Sequence, residues 1–98
     1  MNIQAMMRDA QQLPKDMMRE REAIDATEYE GESSFVKVKV NGKKEVLEIK
    51  IDQETLDKED IEMLQDILQV AINEANKKVD ADTEKRLGKY TKGMPGLF

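Results

Sequence analysis

Cysteine and histidine are both absent from these 98 residues. Without cysteine there is no disulfide, no thiolate metal site and no thiol nucleophile. Without histidine the chain lacks the commonest general base, the commonest transition-metal ligand and the usual switch at physiological pH. Tryptophan is missing too, and Phe35, Phe98, Tyr29 and Tyr90 are the only aromatics. No apolar run approaches the roughly 18 residues of a membrane span. The opening Met1–Arg8 has neither the charged start nor the apolar stretch of a signal peptide. Glycine-rich phosphate loops, nucleophile elbows and dinucleotide fingerprints do not occur. The densest acidic group, Asp52, Glu54, Asp57, Glu59 and Asp60, lacks the central glycine and terminal glutamate of a calcium loop, so it reads as a helix cap with a solvated face. These gaps argue for a cytoplasmic binding module, not an enzyme, with no metal, cofactor, small-molecule substrate or membrane partner.

What is present is charge and aliphatic side chains in nearly equal shares, 38% against 39%. A chain of this length forms one domain, here taken as 1–98, and buries only about 60–65% of the surface it exposes when unfolded. So thin a core favours enlargement across a subunit interface. The seven methionines suit adaptable helix packing.

Residues 1–26 carry apolar side chains at Ile3, Met6, Ala10, Leu13, Met17 and Ile24, a heptad-like seam that predicts a helix packed on another helix. Pro14 inside it predicts a kink near Ala10–Leu13 or a break. A β-meander is expected over 28–51. Val36, Val38 and Val40 alternate with Lys37 and Lys39, and Leu47, Ile49 and Ile51 alternate with Glu48 and Lys50. Asn41-Gly42 marks the turn. A four-residue loop, Asn41 to Lys44, sets Val38 opposite Leu47, Val36 opposite Ile49 and Lys37 opposite Glu48. Tyr29 to Glu32 supplies a short further strand. Asp57 is the expected N-cap of a long helix over 58–87, with Glu59 and Asp60 in the first turn. Its apolar stripe runs through Ile61, Leu64, Ile67, Leu68, Ala71, Ile72, Ala75 and Val79, and Gly88 is the next breaker, opening a tail over 88–98. Thirty residues of helix measure about 45 Å, more than the roughly 35 Å diameter of a compact domain of this size. The helix must overhang its sheet, either to pack on a second subunit or to project as a working arm.

Charge is polarised along the chain. Glu45–Asp66 holds nine acids and two bases, whereas Lys77–Phe98 holds six bases and three acids. Local patches act over a screening length of about 8 Å, so a chain of net charge −5 can still present a basic edge.

Several segments in succession resemble the YbaB/EbfC family of nucleoid-associated proteins. The opening Asn2-Ile3-Gln4-Ala5-Met6-Met7-Arg8 with Ala10-Gln11 is similar to that family's first helix. Glu30-Gly31, Val36-Lys37-Val38, Val40-Asn41-Gly42-Lys43, Val46-Leu47 and Ile49-Lys50-Ile51-Asp52 resemble its hairpin. Asp60–Asp66 and Ala71–Ala75 resemble its long helix, and Gly93-Met94-Pro95-Gly96-Leu97-Phe98 its closing signature. The resemblance covers the whole chain in order. Pro14 and the acids Asp9, Asp16, Glu20, Glu22 and Asp25 make the first helix more acidic and less regular than is usual in that family.

The resemblance implies an α+β fold, an α-β-β-β-α subunit whose antiparallel sheet is flanked by two long helices, assembled as a tweezer-like homodimer. It further implies a nucleoid-associated protein that grips double-stranded DNA through backbone contacts of low sequence selectivity and influences nucleoid organisation and gene expression. Candidate phosphate contacts are Arg8, Lys15, Arg19 and Arg21 on the first helix and Lys77, Lys78, Lys85, Arg86, Lys89 and Lys92 on the C-terminal arm. Candidate dimer-interface residues are Met6, Leu13, Met17, Val38, Leu47, Ile49, Leu64 and Leu68. The alternative is a protein-interaction adaptor of the same fold, using the Met-rich helix and the Met94–Phe98 tail.

Overall fold

The computed structural model describes the backbone of residues 3–91 and the side chains of residues 14–90. In chain order the elements are α1 (Ile3–Ala26), β1 (Tyr29–Ser33), β2 (Val36–Val40), β3 (Val46–Ile51) and α2 (Lys58–Thr91). This is the α+β, α-β-β-β-α arrangement expected from the sequence. The strands form one antiparallel meander in the order β1-β2-β3.

Helix α1 contains Pro14 and continues through it, so the alternative of a break does not occur. Pro14 is exposed, and its missing N–H removes one backbone hydrogen bond without ending the helix. Helix α2 extends past the expected end at Leu87, through Gly88 to Thr91. A helical glycine costs only about 1 kcal/mol, and Leu87 beside it is 5% exposed, so packing holds the last turn in place. At the other end Asp60 Oδ2 accepts the backbone N–H of Asp57 at 3.0 Å. That is the returning half of a capping box around an N-cap Asp57.

The hairpin register differs from the expectation by two residues. Val38 faces Ile49, Val36 faces Ile51 and Lys39 faces Glu48, while Lys37 faces Lys50. The cause lies in the loop. Asn41 Oδ1 accepts the N–H groups of Lys43 at 2.9 Å and Glu45 at 3.0 Å, and the Asn41 N–H donates to the Glu45 carbonyl at 3.1 Å. Glu45 is thereby drawn into the turn, and a bulge at Lys39/Val40 leaves Leu47 as the extra residue between paired Val46 and Glu48. Over Glu48–Ile51 the two-residue shift keeps each side chain on its expected face, whereas the bulge brings Val46, expected on the outer face, opposite Val40 on the inner one.

The core lies between the sheet and α2. Tyr29, Val36, Val38 and Val40 pack against Ala71, Ala75 and Val79, with Phe35, Leu64, Ile67, Leu68 and Ile72 around them. Each buried valine contributes about 1.5–3 kcal/mol relative to exposure. Gly31 makes the contact close. A Cβ there would stand 2.0 Å from the Ala71 carbonyl oxygen and 2.6 Å from the Ala75 nitrogen. Small residues on both sides, glycine on β1 and alanines on α2, let the helix lie directly on the strand.

Candidate nucleic-acid interface

Helix α2 has 34 residues, hence a length of about 51 Å, and lies across β1 and β2. Toward its C-terminal half Asp82 accepts a hydrogen bond from the Tyr29 hydroxyl of β1 at 2.5 Å. Helix α2 also packs against α1. Ile24 and Leu87 are buried, at 0% and 5% exposure, yet neither belongs to the sheet cluster. Where α1 and α2 run against one another they form a two-helix arm. The protein measures 72 × 23 × 13 Å with a radius of gyration of 19.4 Å, against about 13 Å for a compact chain of this length. The overhang argued from helix length is present.

The arm is seated on the hairpin tip. A Cβ on Gly42 would lie 2.0 Å from the Ile24 carbonyl oxygen, so the loop backbone presses against the end of α1. Arg21 clamps this joint, donating from Nη2 to the Gly42 carbonyl at 3.2 Å while Nε lies 3.1 Å from Asp25 Oδ1.

The expected phosphate contacts fall into three groups. Lys15, Lys77, Lys78 and Lys85 are exposed and, among the described residues, take part in no ion pair. Arg19 is also open, with a 4.0 Å approach to Asp16 as its one ion pair among the described residues, and Lys89 sits 5.0 Å from the centre of the Tyr90 ring. Arg21 and Arg86 each hold a partner of the fold, Arg21 the Gly42 carbonyl and Asp25, Arg86 the Asp82 carboxylate. The Arg8 side chain and all of Lys92 lie outside the described residues. Sequence reasoning passed over Lys43 and Lys44 at the hairpin tip. Lys43 is exposed; Lys44, in the left-handed region with φ 65°, pairs with Asp80 at 2.8 Å. Their place in the turn marked them as loop residues, and nothing in their spacing showed that the tip folds back on α1.

Arg86 belongs to a short chain of polar contacts. Its Nε lies 3.1 Å from Asp82 Oδ2 and 3.2 Å from Oδ1, and Oδ2 also receives the Tyr29 hydroxyl. Burial and the hydrogen bond to the Asp82 carboxylate both push the Tyr29 phenol above its usual value. The i, i+4 spacing of Asp82 and Arg86 was the available signal; the tyrosine, distant in sequence, gave none. No group of three or more acidic side chains among the described residues is placed to hold a metal ion.

A second surface is apolar. Ile49, Ile51 and Val46 stand opposite Val38, Val36 and Val40 and so extend the inner face of the sheet. Helix α2 does not cover them, and they are 46%, 39% and 46% exposed, with Leu47 at 50%. Leu56, Ile61, Met63 and Val70 add exposed apolar side chains around the first half of α2. Of the expected interface residues, Leu47 and Ile49 lie on this surface, and Leu64 and Leu68 are half-buried beside the core. Met17 is half-buried on α1, and Val38, 1% exposed, belongs to the subunit's own core. The side chains of Met6 and Leu13 lie outside those described.

Comparison with known proteins gives a consistent picture. A family model described as the YbaB/EbfC DNA-binding family matches residues 1–94. A nucleoid-associated protein of Ligilactobacillus salivarius is 38% identical over 99% of this chain and 95% of its own length. One from Chloroflexus aurantiacus is 42% identical over the full length of both. Among solved structures, an uncharacterized protein from Helicobacter pylori superposes with a TM-score of 0.72 at 24% identity, covering 91% of this chain and 96% of that one; it shares the fold.

Proposed function

The chain belongs to the YbaB/EbfC DNA-binding family of nucleoid-associated proteins, and from that premise we propose that it grips duplex DNA as a homodimer through its two-helix arms. The observation that carries this reading is the arm itself, a projecting pair of helices bearing Lys15, Arg19, Lys85 and Lys89 on exposed positions, with exposed Lys77 and Lys78 on the sheet-packed stretch of α2 that leads into it. Lysine and arginine neutralise phosphates and release counterions without reading bases, so the contacts are made to the backbone and sequence selectivity is low. The described residues contain no helix long and apolar enough to cross a membrane, and the site of action is the nucleoid, where broad binding influences DNA organisation and gene expression.

The uncovered apolar face of β3 supports the homodimer. Two copies meeting edge to edge along β3 would pair its free backbone groups and bury Val46, Leu47, Ile49 and Ile51 against their counterparts. A closed, self-complementary contact of this kind is the usual form of a dimer. Each half-exposed side chain removed from water would add about 1 kcal/mol.

The reading is tested by titrating a generic fluorescent duplex at about 50 and 200 mM salt, with sedimentation of the protein alone at micromolar concentration. Affinity should fall by orders of magnitude across that range, and the mass should be twice the 11.3 kDa of one chain. Affinity independent of salt would remove the phosphate-contact mechanism, and a monomer would remove the two-armed grip.

A further inference from the structure

We propose that Asp82 and Tyr29 are positioning residues for Arg86, holding its guanidinium so that its outer edge meets a backbone phosphate of bound DNA. The inference rests on the DNA-binding reading above and names the part of the arm built in advance for that contact.

Arg86 is unlike the other cations of the arm. Its side chain is 35% exposed, while Lys85 next to it is open to solvent. Its Nε sits between both Asp82 oxygens at 3.1 and 3.2 Å. Asp82 is in turn held from the sheet by the Tyr29 hydroxyl at 2.5 Å, and Tyr29 is a core residue with 8% exposure. The guanidinium is therefore tied through one carboxylate to the rigid centre of the subunit. Of its five N–H donors, only the Nε–H is used among the described residues. The two terminal amino groups form a planar fork that matches two phosphate oxygens at once. A fork already fixed in place loses little rotamer freedom on binding, whereas a free lysine must be ordered when the phosphate arrives.

Asp82 also places a negative charge near the incoming phosphate, and this opposition makes the inference testable by sign. If Asp82 acted on DNA only through its charge, Asp82→Asn would strengthen binding. If it positions Arg86, the same change weakens binding, because the guanidinium is released. Duplex affinity is measured by fluorescence anisotropy for the wild type, Asp82→Asn, Tyr29→Phe, Arg86→Lys, Arg86→Gln and the double variant Asp82→Asn/Arg86→Gln. Circular dichroism confirms that each is folded.

Arg86→Gln should weaken binding about tenfold or more, the scale of a lost charge-assisted contact. Asp82→Asn should weaken it about three- to tenfold through restored side-chain freedom, and Tyr29→Phe, which alters no charge, by a smaller factor in the same direction. Arg86→Lys should fall between wild type and Arg86→Gln with its salt dependence preserved, since charge remains and the fork is lost. In the Arg86→Gln background, Asp82→Asn should no longer weaken binding.

Equal or tighter binding by Asp82→Asn in a protein whose wild type binds duplex overturns this inference and leaves the proposed function standing. A further loss on adding Asp82→Asn to Arg86→Gln overturns it too, since Asp82 would then act by another route. Wild-type protein that fails to bind at low salt overturns both.

Discussion

Replacing glycine by alanine at two positions should move stability in opposite directions. At Gly31 the new Cβ would stand 2.0 Å from the Ala71 carbonyl oxygen, 2.6 Å from the Ala75 nitrogen and 3.0 Å from the Ala75 Cβ. Ordinary carbon–oxygen contacts lie near 3.3 Å or beyond, so strand and helix must separate by more than about 1 Å. The obstacle is main chain, which no rotamer change relieves, and the displaced helix is the one that buries Val36, Val38 and Val40. Overpacking of this kind costs about 1–3 kcal/mol, occasionally more, and the backbone clash puts Gly31→Ala at about 3 kcal/mol. The change gains at most about 1 kcal/mol from restricting the unfolded chain. At Gly88 nothing lies within 4 Å of the added Cβ, and the site is helical, so Gly88→Ala should stabilise by about 0.5–1 kcal/mol. Urea unfolding followed by far-ultraviolet circular dichroism decides the matter, at one protein concentration because association contributes to apparent stability. With an m-value of about 1 kcal/mol/M, the Gly31→Ala midpoint should fall by roughly 2 M and the Gly88→Ala midpoint should rise by about 0.5 M. A Gly31→Ala midpoint at or above wild type would refute the close-contact account of the core.

Tyr29→Phe should cost about 1 kcal/mol by removing a hydrogen bond to a carboxylate. It should also alter the alkaline limb of stability. The Tyr29 phenol is raised in the folded state, so its contribution is complete below the unfolded value near 10 and is lost as pH climbs through the higher folded value. The gap in urea midpoint between wild type and Tyr29→Phe should therefore shrink between pH 9 and pH 12; a constant gap would count against the hydrogen bond. Ile49→Lys places a charge on the uncovered β3 face and should yield folded protein that sediments as a monomer, whereas a dimer of unchanged stability would locate the subunit contact elsewhere. Lys85→Ala should reduce the salt dependence of duplex affinity by about 0.9 in logarithmic slope for each phosphate contact removed, and an unchanged slope would take Lys85 out of the interface. Ser34, held in the left-handed region at φ 52°, should tolerate Ser34→Gly with stability equal to or up to about 1 kcal/mol above wild type, and a clear loss of midpoint would show that its side chain matters to the turn.

The element order was legible because period-2 and period-3.6 patterns alternate cleanly along the chain, with strong breakers at Asn41-Gly42 and Asp52–Asp57. The family was legible because its motifs follow one another along the entire chain. What the pattern could not give was register. Alternation fixes which face a residue occupies, and a shift of two leaves that unchanged, so Val38 against Leu47 or Ile49 read alike until the Asn41 turn decided between them. Gly88 was taken for a terminus because a glycine's cost is visible in sequence, while the burial of Leu87 that offsets it is not. The cations of the arm were found as a group, but their differences arise from partners distant in sequence: Gly42 for Arg21 and Tyr29 for Asp82 beside Arg86.

The seating of Gly42 against Ile24 also governs where the protein can be altered for experiment. Hairpin loops ordinarily accept epitope tags, fluorophores and inserted domains, but this one is a closed joint whose backbone bears on α1 and whose turn is tied to Asn41. Lengthening it would swing the arm. Residues 53–56 are exposed and make no hydrogen bond among those described. That connector is the place to attach a label or split the chain while leaving the spacing of the arms as it is.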